Sequence, residues 1–563
     1  MDPEGHTGTA QAPPRVRGRD RCFFVAAAAI VAVAAGLRFT RLGFQELWMD
    51  EGVSFGMATV EDFRAALRRE YNPPVYYLLQ RLWLLPFGES EAALRSLSAV
   101  FGTLFVAAIV WGGRVFLGPA VGLWSGALAA IAPLHIYYSQ EARPYALLSL
   151  AILLITITLW RAVQVGTWAR WLAFSSCTLL ALSTHYFAVL VLAPAGLLVL
   201  LGPTAVRGNR RWWRYAVASV LGLVPWLLWL AWSLLLNPHP RGGHDWIQRV
   251  WENLPPRLAI PKSMEVLLLG SQVGFVPGFF KQFTNLEFPG WLRSSGLAVL
   301  ALLWLWALLP WGESRMRIPD CTRRKAWLCG LVFLPLMTLW LASLWKPYYV
   351  VGRYDLVAFP AYLLILGFAL AKLQSLARIG PALAAAAALV LLAVLGAKLD
   401  LYYRAPSGPV APSARATARA IDAAVGPGDL IVLTPWRGIS VNYYLRRLGY
   451  RRFHEVCENP ETGRAFLCAI VPSSDESMVL DFDHMDRVAF SLEAARADLR
   501  TLLARIDPTR HSVWVERRSG PGDWLVVSRM ISEELARAGF RRSPHPGLPA
   551  GLRFWRFEGS GSG

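Results

Sequence analysis

Asp50 and Glu51 are adjacent carboxylates in the stretch Leu47-Trp48-Met49-Asp50-Glu51, just past the first long apolar run, Phe23 to Phe39. Charge at the mouth of a membrane helix is costly, so it usually marks an ion or substrate site rather than packing. Other polar groups recur beside apolar runs. They are Asn72-Pro73-Pro74 with Tyr76, Glu141-Ala142-Arg143-Pro144-Tyr145, His185-Tyr186, Lys346-Pro347-Tyr348 and Gly352-Arg353-Tyr354-Asp355. The chemistry available to such a set is proton transfer and anion binding. A carboxylate in hydrogen-bond reach of a hydroxyl can take its proton, an effect worth roughly 10²–10⁴-fold. Arg143 and Arg353 offer planar forks that match phosphate oxygens. Lys346 is a second-choice point charge. A divalent cation, magnesium or manganese, held by Asp50, Glu51 or Glu141 could do the same work. The residues alone do not decide between cation and arginine.

Each group also has a plainer reading. Asp50-Glu51 could be a solvated turn, and Glu141 and Arg143 a local ion pair pinning the next helix. Arg353 and Lys346 could snorkel to the interface. His185 could be a hydrogen-bonded interfacial histidine. Asn72-Pro73-Pro74 could be a rigid helix entry.

The elements that must position these groups are membrane helices. The chain has 563 residues, 55% hydrophobic and only 17% charged, with a mean hydropathy of +0.37. That composition fits a polytopic membrane protein. The net charge of +19 sits in clusters between apolar runs. No zinc-finger, P-loop or RNA-binding signature accompanies it, so nucleic acid is excluded as a partner. Apolar segments of about 17 to 21 residues suffice to cross a bilayer. They predict eleven spans, near 22–40, 94–112, 119–137, 145–161, 171–186, 187–202, 215–236, 294–311, 326–345, 354–372 and 381–399. Arg114, Arg161, Arg170, the cluster Arg207 to Arg214, the cluster Arg315 to Lys325, Lys372 and Arg378 all fall on the side of the basic N-terminal tail, 1–21. The positive-inside rule then sets the N-terminus inside and the C-terminus outside, and every polar group above meets at the outer face. Carboxylates and cations gathered at one membrane depth suit a reaction between a polar acceptor and a phosphorylated lipid.

Residues 22–399 form the membrane domain of this reading, and 400–558 an extracytoplasmic α/β domain. Strands are expected at Asp429–Leu433, Ser512–Val515 and, as an edge, Arg553–Phe557. Helices are expected at 438–448, 491–505 and 531–539. Residues 559–563 read as a flexible Gly/Ser tail. Cys457 and Cys468 are the two cysteines placed outside, where a disulfide or two free thiols both fit.

The constellation resembles the GT-C membrane glycosyltransferases, specifically the bacterial glycosyltransferase family 39 group related to protein O-mannosyltransferases and aminoarabinose transferases. The resemblance covers about 22–370. It rests on Leu47-Trp48-Met49-Asp50-Glu51, Asn72-Pro73-Pro74-Val75-Tyr76-Tyr77, Ser90-Glu91 with Arg95, Ser139-Gln140-Glu141-Ala142-Arg143-Pro144-Tyr145, Thr184-His185-Tyr186 and Arg353-Tyr354. It implies a many-helix fold with a long first extracytoplasmic loop, a polyprenyl-phosphate sugar donor and a catalytic carboxylate in that loop, where Asp50 occupies the matching position. Relatives often carry His or Lys where this chain has Asn72, so the resemblance leaves the phosphate partner open.

The expectation is an inverting membrane glycosyltransferase of a bacterial inner membrane, with a glycan, lipid or protein hydroxyl as acceptor. Asp50, Glu51 and Glu141 are its catalytic candidates. Arg143, Arg353, Lys346 and Tyr145 are placed at the donor phosphate, and Asn72, Tyr76 and His185 at substrate. No cofactor beyond the optional cation held by Asp50 and Glu141 is called for. The alternatives are a polymer ligase or polymerase using a lipid diphosphate, a lipid or solute transporter, and a non-catalytic scaffold.

Overall fold

The computed structural model describes residues 15–60, 62–69, 72–200, 210–236, 245–252, 254–270, 289–316, 318–404, 413–433, 435–453, 456–459, 464–470, 492–516, 524–543 and 554–559. Its first part runs α1 (Arg15–Phe39), α2 (Met49–Thr59), α3 (Phe63–Arg69), α4 (Val75–Phe87), α5 (Glu91–Leu117), α6 (Pro119–Ile131), α7 (Pro133–Ser139), α8 (Tyr145–Val165) and α9 (Trp168–Thr184). Among the described residues, eight helices are long and apolar enough to cross a membrane, or nine if the bent pair α6–α7 is one span. The protein is therefore a multi-pass membrane protein. The sequence reading of eleven differs at 171–202. There the chain forms α9, with 17 residues, and a shorter apolar helix, Tyr186–Gly196, separated by an extended His185.

Packing explains which spans carry the site. The segment Tyr354–Gln374 has 94% of its apolar window buried, whereas α1 has 17%. The first is thus the central post of the bundle, and Arg353 stands at its head. α5 crosses α6 where both present glycine. A Cβ on Gly113 would lie 2.7 Å from Gly122 Cα, and one on Gly122 would lie 2.3 Å from the Val110 carbonyl oxygen. Small residues permit the close backbone approach that dispersion between membrane helices requires.

The break between α6 and α7 bends the pair by 64°. Pro133 has no N–H to donate, so the preceding turn loses a backbone bond and kinks. The freed carbonyls do not stay unpaired: the Arg38 guanidinium donates to Ala129 O at 2.9 Å and Ala130 O at 3.0 Å. The same group contacts His135 Nδ1 at 3.0 Å. The bend aims α7 toward the turn that carries Glu141 and Arg143. α4 is different in kind. Leu78, Leu82 and Leu85 are exposed at helical spacing, while Gln80 is buried and donates to Leu94 O at 3.0 Å. An apolar stripe of this sort suits a helix lying in the membrane interface.

The C-terminal part holds a seven-stranded sheet of β1 (Leu430–Leu433), β2 (Arg451–Phe453), β3 (Val456–Asn459), β4 (Arg464–Ile470), β5 (Val513–Glu516), β6 (Phe540–Arg542) and β7 (Phe554–Gly559). Its order is β2-β3-β4-β1-β5-β7-β6. Strand β1 is buried throughout and pairs in parallel with β4 and β5. The strand expected at the edge, Arg553–Phe557, lies instead between β5 and β6. Its alternation marks an antiparallel strand with two unlike faces, which an inner strand also has. The backbones of Cys457 and Cys468 fall in β3 and β4, but their side chains lie outside the described residues, as does Tyr71.

This sheet domain packs directly on α2. Phe55 meets Tyr443 edge to face at 4.9 Å, and Leu47, Phe55, Ala58 and Ala142 share a core with Ile421, Val441 and Tyr444. A Cβ on Gly52 would come within 2.6 Å of Ile439 Cγ2, so this contact admits only glycine without repacking. Polar ties frame it: the Ala414 N–H donates to Glu46 at 2.8 Å, Arg446 pairs with Glu89 at 2.6 Å and Arg415 with Glu91 at 2.8 Å.

Candidate active site

Helix α2 begins at Trp48, whose backbone is extended. The Trp48 N–H donates to Glu51 Oε2 at 3.4 Å, so Glu51 reaches back over the helix start as the third residue of a capping box does. Glu51 is then saturated. Arg95 of α5 grips both its oxygens, Nε to Oε1 at 2.7 Å and Nη2 to Oε2 at 2.6 Å. The Ala142 N–H adds a bond to Oε1 at 2.9 Å. Arg95 also donates to Leu42 O and Gln45 O, both at 2.8 Å, and to Glu46 O at 3.0 Å. Glu51 and Arg95 thus form a clamp that fixes the first loop, the α2 start and the turn before α8. With its lone pairs engaged, Glu51 has no capacity left for a reacting proton.

One residue earlier, Asp50 points elsewhere. Arg353 Nη2 donates to Asp50 Oδ2 at 2.7 Å. Arg143 Nε lies 3.9 Å from the same oxygen, and Arg143 Nη1 donates to the Asp50 carbonyl at 3.3 Å and Ser54 Oγ at 3.4 Å. Two guanidinium groups therefore converge on one carboxylate. Burial alone would lower the pKa of each arginine. Asp50 for Arg143, and Tyr145 and Asp50 for Arg353, more than offset this and hold both above the usual range.

Arg353 is held by the Tyr145 hydroxyl, which accepts from its Nε. Tyr138 donates to the Gly352 carbonyl at 2.5 Å and packs on Tyr145 with centroids 4.5 Å apart. Tyr138 therefore seats the turn that carries Arg353, a role the sequence reading missed. The available signal was an aromatic pair in an otherwise polar turn.

Glu141 is buried, and its Oε2 makes no hydrogen bond. Burial first, then the charge of Glu51, pushes its carboxyl up to about 8, against the opposing pull of Arg353. At neutral pH it is therefore mostly a carboxylic acid. Its folded pKa lies above the unfolded value, so the folded state holds the extra proton. That stabilisation is complete below about pH 4.5 and is lost as pH rises through about 8. Thermal midpoints in detergent should thus fall across this window in wild type. In Glu141→Gln this component should vanish; an unchanged slope would remove Glu141 as its source.

His185 is buried beside the same cations. Burial, then Arg353 and Arg143, lower its pKa to about 3, so the ring is neutral. Its Nδ1 accepts from the Phe187 N–H at 3.3 Å, which leaves the ring proton on Nε2. Tyr76 is also buried, and its hydroxyl pairs with Ser98 Oγ at 2.9 Å. Ser98 in turn donates to Arg143 O at 3.2 Å. Tyr76 therefore supports the Arg143 backbone rather than facing open space. Asn72 is half-buried at the approach to α4.

Lys346 is not brought to the site. It is exposed just past the helix Cys321–Trp345, with the Tyr348 ring 5.9 Å from its Nζ. Nor do the residues fit a resident divalent cation. No group of three or more His, Cys, Asp or Glu side chains that could hold a metal ion occurs among the described residues. Asp50 and Glu141 offer two carboxyls, the first engaged by two arginines and the second mostly protonated.

Comparison with solved structures defines the fold. The apo structure of ArnT from Cupriavidus metallidurans is similar over 94% of this chain and 97% of that one, at 14% identity and a TM-score of 0.56. The same protein bound to undecaprenyl phosphate matches over the same shares at 14% identity, with a TM-score of 0.52. The Archaeoglobus fulgidus oligosaccharyltransferase tethered to an acceptor peptide matches over 94% of this chain and 74% of that one, at 11% identity and a TM-score of 0.51. The chain has the GT-C fold.

Residues 71–232 match the family model for dolichyl-phosphate-mannose-protein mannosyltransferase. That match covers 71–232 alone, so over this segment the chain is similar to that family, while the solved structures define its fold. No match was found among curated proteins.

Proposed function

We propose that this protein transfers a sugar from a polyprenyl-phosphate donor to a hydroxyl acceptor, with inversion, at the extracytoplasmic face of a bacterial inner membrane. The observation that carries the reading is the pair of arginines on Asp50. Two cations against one anion leave a buried site with surplus positive charge, at the head of the most buried apolar span. A lipid-borne phosphate satisfies both features. ArnT, the similar structure, is recorded with undecaprenyl phosphate bound, which adds support.

In this reading Asp50 takes the proton of the acceptor hydroxyl as its oxygen bonds to the anomeric carbon. The bond from that carbon to the phosphate oxygen breaks, and the lipid phosphate leaves with the electron pair. Arg143 and Arg353 meet the charge that grows on the phosphate oxygens. Inversion requires base and phosphate on opposite faces of the anomeric carbon, so donor entry must draw Arg353 off Asp50. In the resting site Asp50 thus serves Arg353 as the anionic partner that a phosphate oxygen becomes once donor is bound. His185, neutral with its proton on Nε2, can donate to a sugar oxygen without adding charge. Glu141 serves as a buried acid that keeps the surplus charge positive at neutral pH.

Arg353→Gln should raise the donor KM about 10- to 100-fold, from roughly 1.5–3 kcal/mol for a lost hydrogen bond to a charged group. The acceptor KM should move little. Kinetics with a monophosphate and a diphosphate donor check this. A variant whose donor KM stays at the wild-type value assigns Arg353 to structure alone, and a preference for the diphosphate favours a ligase.

A further inference from the structure

A second cationic feature lies outside this site. Gly43, Glu91, Arg415, Arg419, Tyr444, Arg447 and Leu448 line a cleft of about 340 Å³ between the sheet domain and the start of α5. That falls within the roughly 300–1,000 Å³ of small-ligand pockets. Three arginines face one glutamate there. Arg415 is engaged by Glu91 at 2.8 Å and lies over the Tyr444 ring at 5.5 Å. Arg419 and Arg447 are exposed at the cleft, so the surplus charge is open to water. The sequence reading left these residues without a role.

The cleft is mechanically tied to the helix that carries Asp50. The Tyr444 hydroxyl accepts from the Leu47 N–H at 2.9 Å, directly before the start of α2. Glu91 lies one helical turn from Arg95 on α5, and Arg95 is the clamp on Glu51. An occupant of the cleft would thus contact both supports of α2 while staying clear of Arg143 and Arg353.

We propose that this cleft binds an anionic group, phosphate or carboxylate, carried by the acceptor, and so selects acidic glycans or glycolipids. The proposal rests on the glycosyl-transfer reading, because it assigns the anion to the acceptor. Arginine forks suit both anions, and a bidentate contact fixes orientation as well as affinity. The donor phosphate already has its partners in the buried site. The rival source of the same chemistry is a phospholipid headgroup, since Gly43 follows closely on α1, the first span.

The test uses the full chain in phosphatidylcholine nanodiscs, with glucose 6-phosphate as probe and glucose as its neutral control. Wild type should bind the phosphosugar at least about tenfold more tightly than glucose. Arg419→Gln/Arg447→Gln should abolish that difference, with an unchanged melting temperature and unchanged donor hydrolysis to water. The single Arg419→Gln should fall between. Phosphatidylglycerol in the nanodisc should not displace the probe. Equal binding of the two sugars, or full binding by the double variant, overturns the proposal. Displacement by phosphatidylglycerol overturns it in favour of a lipid site. The binding arms need no donor turnover, so they decide this proposal even if glycosyl transfer itself fails.

Discussion

Asp50→Asn should lower sugar transfer by at least about 10²-fold, the contribution of a positioned general base, while donor binding stays the same or tightens. The substitution keeps the size of the side chain and a carbonyl oxygen to accept from Arg353, but it removes the basic site. Tightening is expected because Arg353 Nη2, now 2.7 Å from Asp50 Oδ2, would no longer be held by a full negative charge. The split between turnover and affinity is the informative readout. A purely structural Asp50 would lose both together, because the two arginines would be left with excess buried charge. Glu51→Gln should not reproduce the split, since Glu51 already spends its oxygens on Arg95, Ala142 and the helix start.

Arg95→Ala should be the most destabilising single change near the site. It strands Glu51 as an unpaired buried charge, and breaking such a pair costs about 3–5 kcal/mol. It also removes the donor to Leu42, Gln45 and Glu46 carbonyls, which shape the loop into α2. Thermal unfolding in detergent should show the loss, with donor and acceptor KM rising together as Asp50 drifts. Arg95→Met combined with Glu51→Gln should recover part of the stability, because no unpaired charge remains. If Arg95→Ala melts like wild type, the clamp is not what holds α2.

How far the sequence foretold this depends on what each residue's neighbours reveal. Asp50 stood out in the sequence because charge beside an apolar run is rare. The division of labour inside Asp50-Glu51 was not, since adjacent residues on a helix point about 100° apart and sequence does not say toward what. The fold turns Asp50 to Arg143 and Arg353, and Glu51 to Arg95. Long apolar runs announced most spans. The stretch 171–202 misled because two consecutive runs share one composition, and only the break at His185 divides them into a 17-residue helix and a shorter one. Arg38 closes an apolar run and carries no motif that marks it. Its work, satisfying carbonyls freed by Pro133 some 90 residues away, is a tertiary fact. Lys346 stood behind Arg353 as a second-choice point charge because both flank a span, and only packing puts one inside and one out. The arginines of the sheet-domain cleft carry no local pattern, because the cleft exists only where two domains meet.

In the proposed reaction the site moves a sugar off a lipid monophosphate. Purified protein incubated with a panel of polyprenyl-phosphate sugars and a hydroxyl acceptor, followed by mass spectrometry for free polyprenyl phosphate and glycosylated acceptor, tests it most directly. At least one donor should yield both products in equal amounts with wild type, and Asp50→Asn should yield neither above background. Equal yields from Asp50→Asn in a correctly folded protein, or products from diphosphate donors only, would contradict it.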